Sequence, residues 1–123
     1  KMKQISYGGQ YLDSLDISAV KKSLKNKLIT SGNSVIKFES EINNYLECNF
    51  STVCNSGTSA IFLALKAIDV KKNDVVLMPS VNFISSYNVT KILGAKVVLV
   101  DVDKFTGQIT PEKVIESCKK KQY

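Results

Sequence analysis

The sequence predicts an α/β fold: three layers, with a mostly parallel sheet between helices. Three observations carry this expectation. The apolar residues within 74–78 and 96–100 are continuous rather than alternating, as in strands buried on both faces, and 50–54 is a further short strand candidate. Segments 60–68 and 83–93 lie between them and have helical length and spacing. Strands that alternate with helices and are joined by crossovers of this length favour parallel pairing.

Each element has its own signal. Asp16 is a candidate N-cap for a first helix over 17–28, where Ile17, Val20 and Leu24 fall on one face. Thr30-Ser31-Gly32-Asn33 breaks the pattern. A second amphipathic helix is expected over 34–46, with Val35, Phe38, Ile42, Tyr45 and Leu46 inward. Residues 50–54 form a short strand candidate, with Cys54 read as a small buried hydrophobe. The cluster Asn55-Ser56-Gly57-Thr58-Ser59 then turns into a helix over 60–68 that is apolar almost all round, which predicts a buried helix. Asp74-Val75-Val76-Leu77-Met78 is a β-branched run that Pro79 ends. Gly94 is placed to terminate the helix over 83–93. Lys96-Val97-Val98-Leu99-Val100 is a further strand, and 104–107 is a turn. Thr110 caps a last helix over 111–122, with Pro111 at its first position. About three strands make a small sheet for this class. The expectation is therefore that these 123 residues are the front part of a larger α/β domain, with 1–48 a helical N-terminal segment and 49–123 the start of the core.

Composition narrows the chemistry. The chain has no His, Trp or Arg, and all 17 basic residues are lysine. Without His, no Ser-His-Asp or Cys-His system exists within it, and the commonest zinc ligand is absent. Without Arg, it lacks the side chain best shaped to clamp a phosphate or carboxylate in two places. The net charge is +6, but Lys1, Lys3, Lys119, Lys120 and Lys121 sit at the ends, and without them 12 lysines face 11 acids. Such a surplus reads as a solvated terminal face, so no nucleic-acid partner is expected. Cys48, Cys54 and Cys118 show no Cys-x-x-Cys spacing and cannot all pair, which fits reduced thiols in a cytoplasmic protein. No apolar leader is visible in residues 1–10, and the longest apolar run, 60–65, is too short to span a membrane. Asp101 and Asp103 follow a strand but have no third ligand nearby. No metal is expected, and Asp101 reads as the residue that closes the strand end.

One segment carries chemistry. Ser56-Gly57-Thr58-Ser59 lies between a strand candidate and a helix, where free N–H groups and the helix dipole attract an anion. Gly57 lets the anion approach the backbone, and the hydroxyls of Thr58 and Ser59 add donors. Plain helix capping by the same residues stays open as the alternative.

Segments along the whole chain resemble, in order, the DegT/DnrJ/EryC1/StrS family of pyridoxal phosphate (PLP) sugar aminotransferases. They are Tyr7-Gly8-Gly9-Gln10, Asp16-Ile17-Ser18-Ala19-Val20, Leu28-Ile29-Thr30-Ser31-Gly32 with Phe38-Glu39, Asn55-Ser56-Gly57-Thr58-Ser59-Ala60, Pro79-Ser80-Val81-Asn82-Phe83, Gly94-Ala95, and Val100-Asp101-Val102-Asp103 with Thr106. Each is unspecific alone; their order and spacing together are specific. The opening segments are most similar to the branch that aminates 4-keto sugars for surface glycans.

The resemblance implies the N-terminal part of the large domain of a fold-type I PLP aminotransferase. It implies that Gly57 and Thr58 hold the cofactor phosphate, with Ser56 and Ser59 lining the same turn, and that Phe83 stacks on the cofactor ring. An ordinary core role for Phe83 is the alternative. Thr30, Ser31 and Gly32 match a loop near the substrate, against a simple inter-helix turn. Asn33 replaces a proline common there, and Asn82 stands where threonine is common. In this family the Schiff-base lysine and the acid that pairs with the pyridinium nitrogen lie beyond residue 123, so no catalytic residue is assigned here and the chain alone is expected to be inactive. The implied activity is amino transfer from an amino acid, glutamate in the family, to a keto-sugar nucleotide by a homodimer or higher oligomer. A PLP-dependent sugar dehydratase of the same family and a non-catalytic truncated piece are the alternatives.

Overall fold

The computed structural model describes residues 8–120, in two compact units divided between Val53 and Cys54. Lys1, Lys3, Tyr7 and the last two residues of the expected final helix lie outside the described residues.

The first unit contains helices α1 (Ser14–Ser23) and α2 (Asn33–Leu46). The expected N-cap at Asp16 is corrected to Asp13. The Asp13 carboxylate accepts the N–H groups of Leu15 and Asp16 at 2.8 and 3.1 Å, and the Asp16 carboxylate accepts the Asp13 N–H at 3.0 Å. This reciprocal pair starts the helix at Ser14. The helix also ends earlier than expected. The N–H groups of Lys25 and Asn26 turn back to the carbonyls of Lys22 and Ser23, which tightens the chain out of the α-helix. Ser34 then ties the bend to the start of α2, with Ser23 Oγ at 3.3 Å and Asn26 Nδ2 at 3.2 Å from its hydroxyl.

No strand forms at residues 50–54, which corrects the expectation of one. The Val53 N–H, which a sheet would use, goes to Glu39 Oε1 at 2.9 Å. The Ser51 hydroxyl donates to the Glu39 carbonyl at 2.9 Å. The segment is held along α2, so its backbone polar groups are met without a strand partner.

The second unit carries α3 (Gly57–Ala67), β1 (Val75–Pro79), α4 (Ser85–Ile92), β2 (Lys96–Val100) and α5 (Pro111–Lys120). The two strands pair in parallel, from Val75 opposite Lys96 to Pro79 opposite Val100. Helix α4 is the crossover and packs on both strands. Gly94 ends it at φ +81°, a backbone that side-chain-bearing residues rarely adopt. The core is Met78, Val89, Ala95, Val98 and Val100. Val98 and Val100 point into it, and Leu99 between them is half exposed, so this face of β2 is less covered than its continuous apolar sequence predicts.

Helix α3 departs from expectation in the same way. None of its residues is fully buried; Leu63 is 44% exposed, and Ile68, the residue that caps its end, is 72% exposed. Helix α4 is its main neighbour within the unit among the described residues, and much of its apolar circumference stays exposed.

Helix α5 starts as its sequence predicts. The Thr110 hydroxyl accepts the Lys113 N–H at 3.4 Å, and Lys113 reaches back to Asp101 at 3.6 Å. Asp103 Oδ1 accepts the N–H groups of Phe105 and Thr106 and the Thr106 hydroxyl, all within 3.1 Å. Asp101 and Asp103 are thus strand-end and turn residues.

Candidate functional site

The start of α3 is built by its serines. Ser56 is extended and caps the helix, its Oγ accepting the Ser59 N–H at 3.2 Å, while the Ala60 N–H reaches the Ser56 carbonyl at 3.0 Å. The Ser59 hydroxyl donates to Asn55 Oδ1 at 2.6 Å and lies 3.1 Å from Ser56 Oγ. Cys54, half buried, donates its thiol to the Ser56 carbonyl at 3.4 Å. The hydroxyls of Ser56 and Ser59 are therefore spent on the turn itself.

Gly57 and Thr58 are left outward. Their N–H groups are the first two of the helix and have no intrahelical acceptor. A Cβ on Gly57 would meet nothing within 4 Å. The Thr58 hydroxyl has no hydrogen-bond partner among the described residues. Two N–H groups, one hydroxyl and the positive end of an 11-residue helix face open space together.

The other wall comes from the loop after β1. The helix expected from Phe83 starts two residues later, at Ser85. Asn82 holds the loop, with Oδ1 accepting the Phe83 N–H at 2.8 Å and Nδ2 donating to Ser86 Oγ at 3.3 Å. The Phe83 ring is 74% exposed and, among the described residues, projects from the loop rather than packing under the helix. An exposed ring on a cleft edge is a surface on which a flat ligand can stack.

Between these walls lies a cleft of about 460 Å³ lined by Gly57, Thr58, Ile61, Asn82, Phe83, Ser85 and Ser86. It sits beyond the carboxyl end of β1, where open α/β sheets hold ligands. Its volume is in the range of small-molecule sites. None of its lining side chains is titratable. It can supply backbone dipoles, hydroxyls, an amide and a ring; it holds no acid, base or nucleophilic lysine. Ile61, Asn82, Ser85 and Ser86 are further lining residues, not expected from the sequence. Ser85 and Ser86 follow Phe83 directly, a signal that adjacency alone could have raised.

Thr30, Ser31 and Gly32 fall in the first unit, in the bend before α2. Thr30 and Ser31 are exposed, and Gly32 lines a cleft of about 280 Å³ with Asn26, Lys27, Leu28 and Asn33. A Cβ on Gly32 would lie 2.6 Å from the Leu28 carbonyl oxygen, so glycine is required there by close approach. Among the described residues no group of three or more His, Cys, Asp or Glu could hold a metal ion, and no helix is long and apolar enough to cross a membrane.

Fold and cleft together define an α/β protein with an uncharged candidate ligand cleft beyond the carboxyl end of β1. The chain matches the DegT/DnrJ/EryC1/StrS aminotransferase family over residues 10–122 and belongs to that family. It is 36% identical over 110 residues to the UDP-4-amino-4,6-dideoxy-N-acetyl-beta-L-altrosamine transaminase of Campylobacter jejuni, a match covering 89% of this chain and 29% of that enzyme. Its fold matches the PLP-form structure of Spr1654 from Streptococcus pneumoniae with a TM-score of 0.84 at 23% identity, covering 94% of this chain and 29% of that one. A GDP-4-keto-6-deoxymannose-3-dehydratase structure matches with a TM-score of 0.83 at 24% identity, covering 92% and 31%. At these identities the two structures speak to the fold alone. The chain spans under a third of the length of each of these relatives.

Proposed function

We propose that this chain forms the phosphate- and ring-holding wall of a PLP-dependent aminotransferase. The activity is transfer of an amino group from an amino acid, glutamate being the proposed donor, to a keto-sugar nucleotide that feeds surface-glycan synthesis. Residues 1–123 form the N-terminal part of its large domain, in a cytoplasmic homodimer or higher oligomer. The observation that carries the reading is the start of α3. Its free N–H groups at Gly57 and Thr58 open onto the same cleft as an exposed aromatic ring.

The residues present fit the cofactor on their own chemistry. PLP pairs a phosphate with a flat ring, and the cleft pairs an anion-seeking helix start with Phe83. Gly57 brings no Cβ between the phosphate and the backbone, and the Thr58 hydroxyl adds one donor. Ser56 and Ser59 act one step back by fixing the turn that aims these N–H groups. Asn82 holds Phe83 at the edge of the cleft. Bound PLP supplies the carrier chemistry by which the donor amino acid leaves as a 2-oxo acid and the sugar keto carbon becomes an amine. The residues of this chain bind and orient it. No proton-transfer role falls to the cleft, whose side chains are all neutral. Thr30, Ser31 and Gly32 are proposed to border the sugar substrate.

The test uses the complete gene product with PLP, glutamate and a UDP-linked 4-keto sugar. The amino sugar nucleotide and 2-oxoglutarate are expected in equal amounts by mass spectrometry. A deoxygenated sugar without a retained amino group would instead identify a dehydratase.

A further inference from the structure

Ser85, the first residue of α4, is almost enclosed but has nothing to bond. Only 6% of it is exposed. Its hydroxyl makes no hydrogen bond among the described residues. No buried side-chain oxygen or nitrogen there is both sealed and unpartnered, so the little surface Ser85 keeps includes its Oγ. The open space next to it is the cleft it lines with Thr58 and Phe83.

Thr90 shows the ordinary alternative. It is fully buried one turn further along and donates its hydroxyl to the Ser86 carbonyl at 2.8 Å, as helical hydroxyls commonly do. Ser85 does not turn back in this way. It is not the cap of α4 either; that position is Ile84, which makes no side-chain capping bond. A nearly buried hydroxyl without a partner costs stability. Retained at the wall of a cleft, it is best explained by a partner that arrives with the ligand.

We propose that the Ser85 hydroxyl donates a hydrogen bond directly to the ligand of this cleft, a phosphorylated flat ring compound, alongside Gly57, Thr58 and Phe83. The inference rests on the cofactor reading above and adds a residue to it. It predicts effects of opposite sign for Ser85→Ala. Without ligand, the variant loses an unpaired hydroxyl and gains a better helix former, so its melting temperature is equal or higher. With PLP, it loses one hydrogen bond, and its affinity falls about tenfold. A structural role for the hydroxyl predicts the reverse: a lower melting temperature and unchanged affinity.

The experiment measures PLP affinity by equilibrium dialysis and the ligand-free melting temperature on the complete gene product, for wild type, Ser85→Ala and Phe83→Ala. Weaker binding by Ser85→Ala without a loss of melting temperature supports the proposal. Wild-type affinity in Ser85→Ala, with Phe83→Ala weakened, overturns the role of Ser85 and leaves the cofactor reading standing. A lowered melting temperature in Ser85→Ala assigns the hydroxyl to the fold and overturns the proposal. No PLP binding by wild type overturns both.

Discussion

Gly32→Ala should destabilise the first unit through one identifiable contact. The added Cβ would sit 2.6 Å from the Leu28 carbonyl oxygen and 3.4 Å from the Leu28 Cβ. The first distance is about 1 Å short of a comfortable non-bonded separation. The obstructing atom belongs to the backbone, so no rotamer change relieves it; the bend between α1 and α2 has to open. Overpacking of this kind costs about 1–3 kcal/mol. For a small unit, about 2 kcal/mol lowers the melting temperature by roughly 10 °C. The neighbouring Ser31→Ala is the control, because Ser31 is exposed and such surface changes stay within about 0.5 kcal/mol. Thermal unfolding of wild type and both variants by circular dichroism decides the matter. A Gly32→Ala melt that coincides with the Ser31→Ala melt would refute the close-approach argument. The same opening would displace Thr30 and Ser31; with these residues bordering the sugar substrate as proposed above, the apparent KM is expected to rise more than kcat falls.

Other perturbations have equally definite signs. Gly57→Ala has open space for its Cβ and replaces glycine in a helix, so it should raise the melting temperature by a few degrees while weakening PLP binding; unchanged affinity would mean that the phosphate does not approach Gly57. The Asp103 carboxyl is held below the ordinary carboxylate range, chiefly by the Thr106 N–H and then by the Thr106 hydroxyl. A carboxyl depressed in the folded state stabilises the fold above its unfolded pKa, near 3.8, and that contribution is lost as pH falls through the lower folded value. Wild type should therefore lose melting temperature below about pH 4 more steeply than Asp103→Asn, and parallel curves would remove Asp103 from the account. The isolated 123-residue chain has apolar side chains uncovered on α3 and a two-stranded sheet with unpaired edges, so size-exclusion chromatography should show association; a clean monomer with a cooperative melt would contradict this.

How much could be read beforehand depended on whether the signal was local. Strand β2 was legible to the residue, because Lys96 and the four apolar residues after it are bounded by Gly94-Ala95 and Asp101. The end of α4 was legible because a φ of +81° favours glycine, and Gly94 follows the helix. The start of α1 was not: Asp13 and Asp16 are both good caps, and only the folded geometry shows which is the cap and which its reciprocal partner. Residues 50–54 have strand composition, but the Val53 N–H found the Glu39 carboxylate, a partner 14 residues away. The apolar circumference of α3 says that it can be buried, not what covers it. In the site, Gly57 and Thr58 stood out because a small-residue turn leads straight into an apolar helix. Ser85 did not, since a serine at a helix start usually means nothing more than a helix start.

The proposed phosphate cup at the start of α3 is tested most directly by one comparison. The complete gene product is titrated with PLP and, separately, with pyridoxal, which has the same ring without the phosphate. Much tighter binding of PLP is expected, with the difference shrinking in Thr58→Ala as a donor to the phosphate is lost. Equal affinity for the two compounds would contradict it.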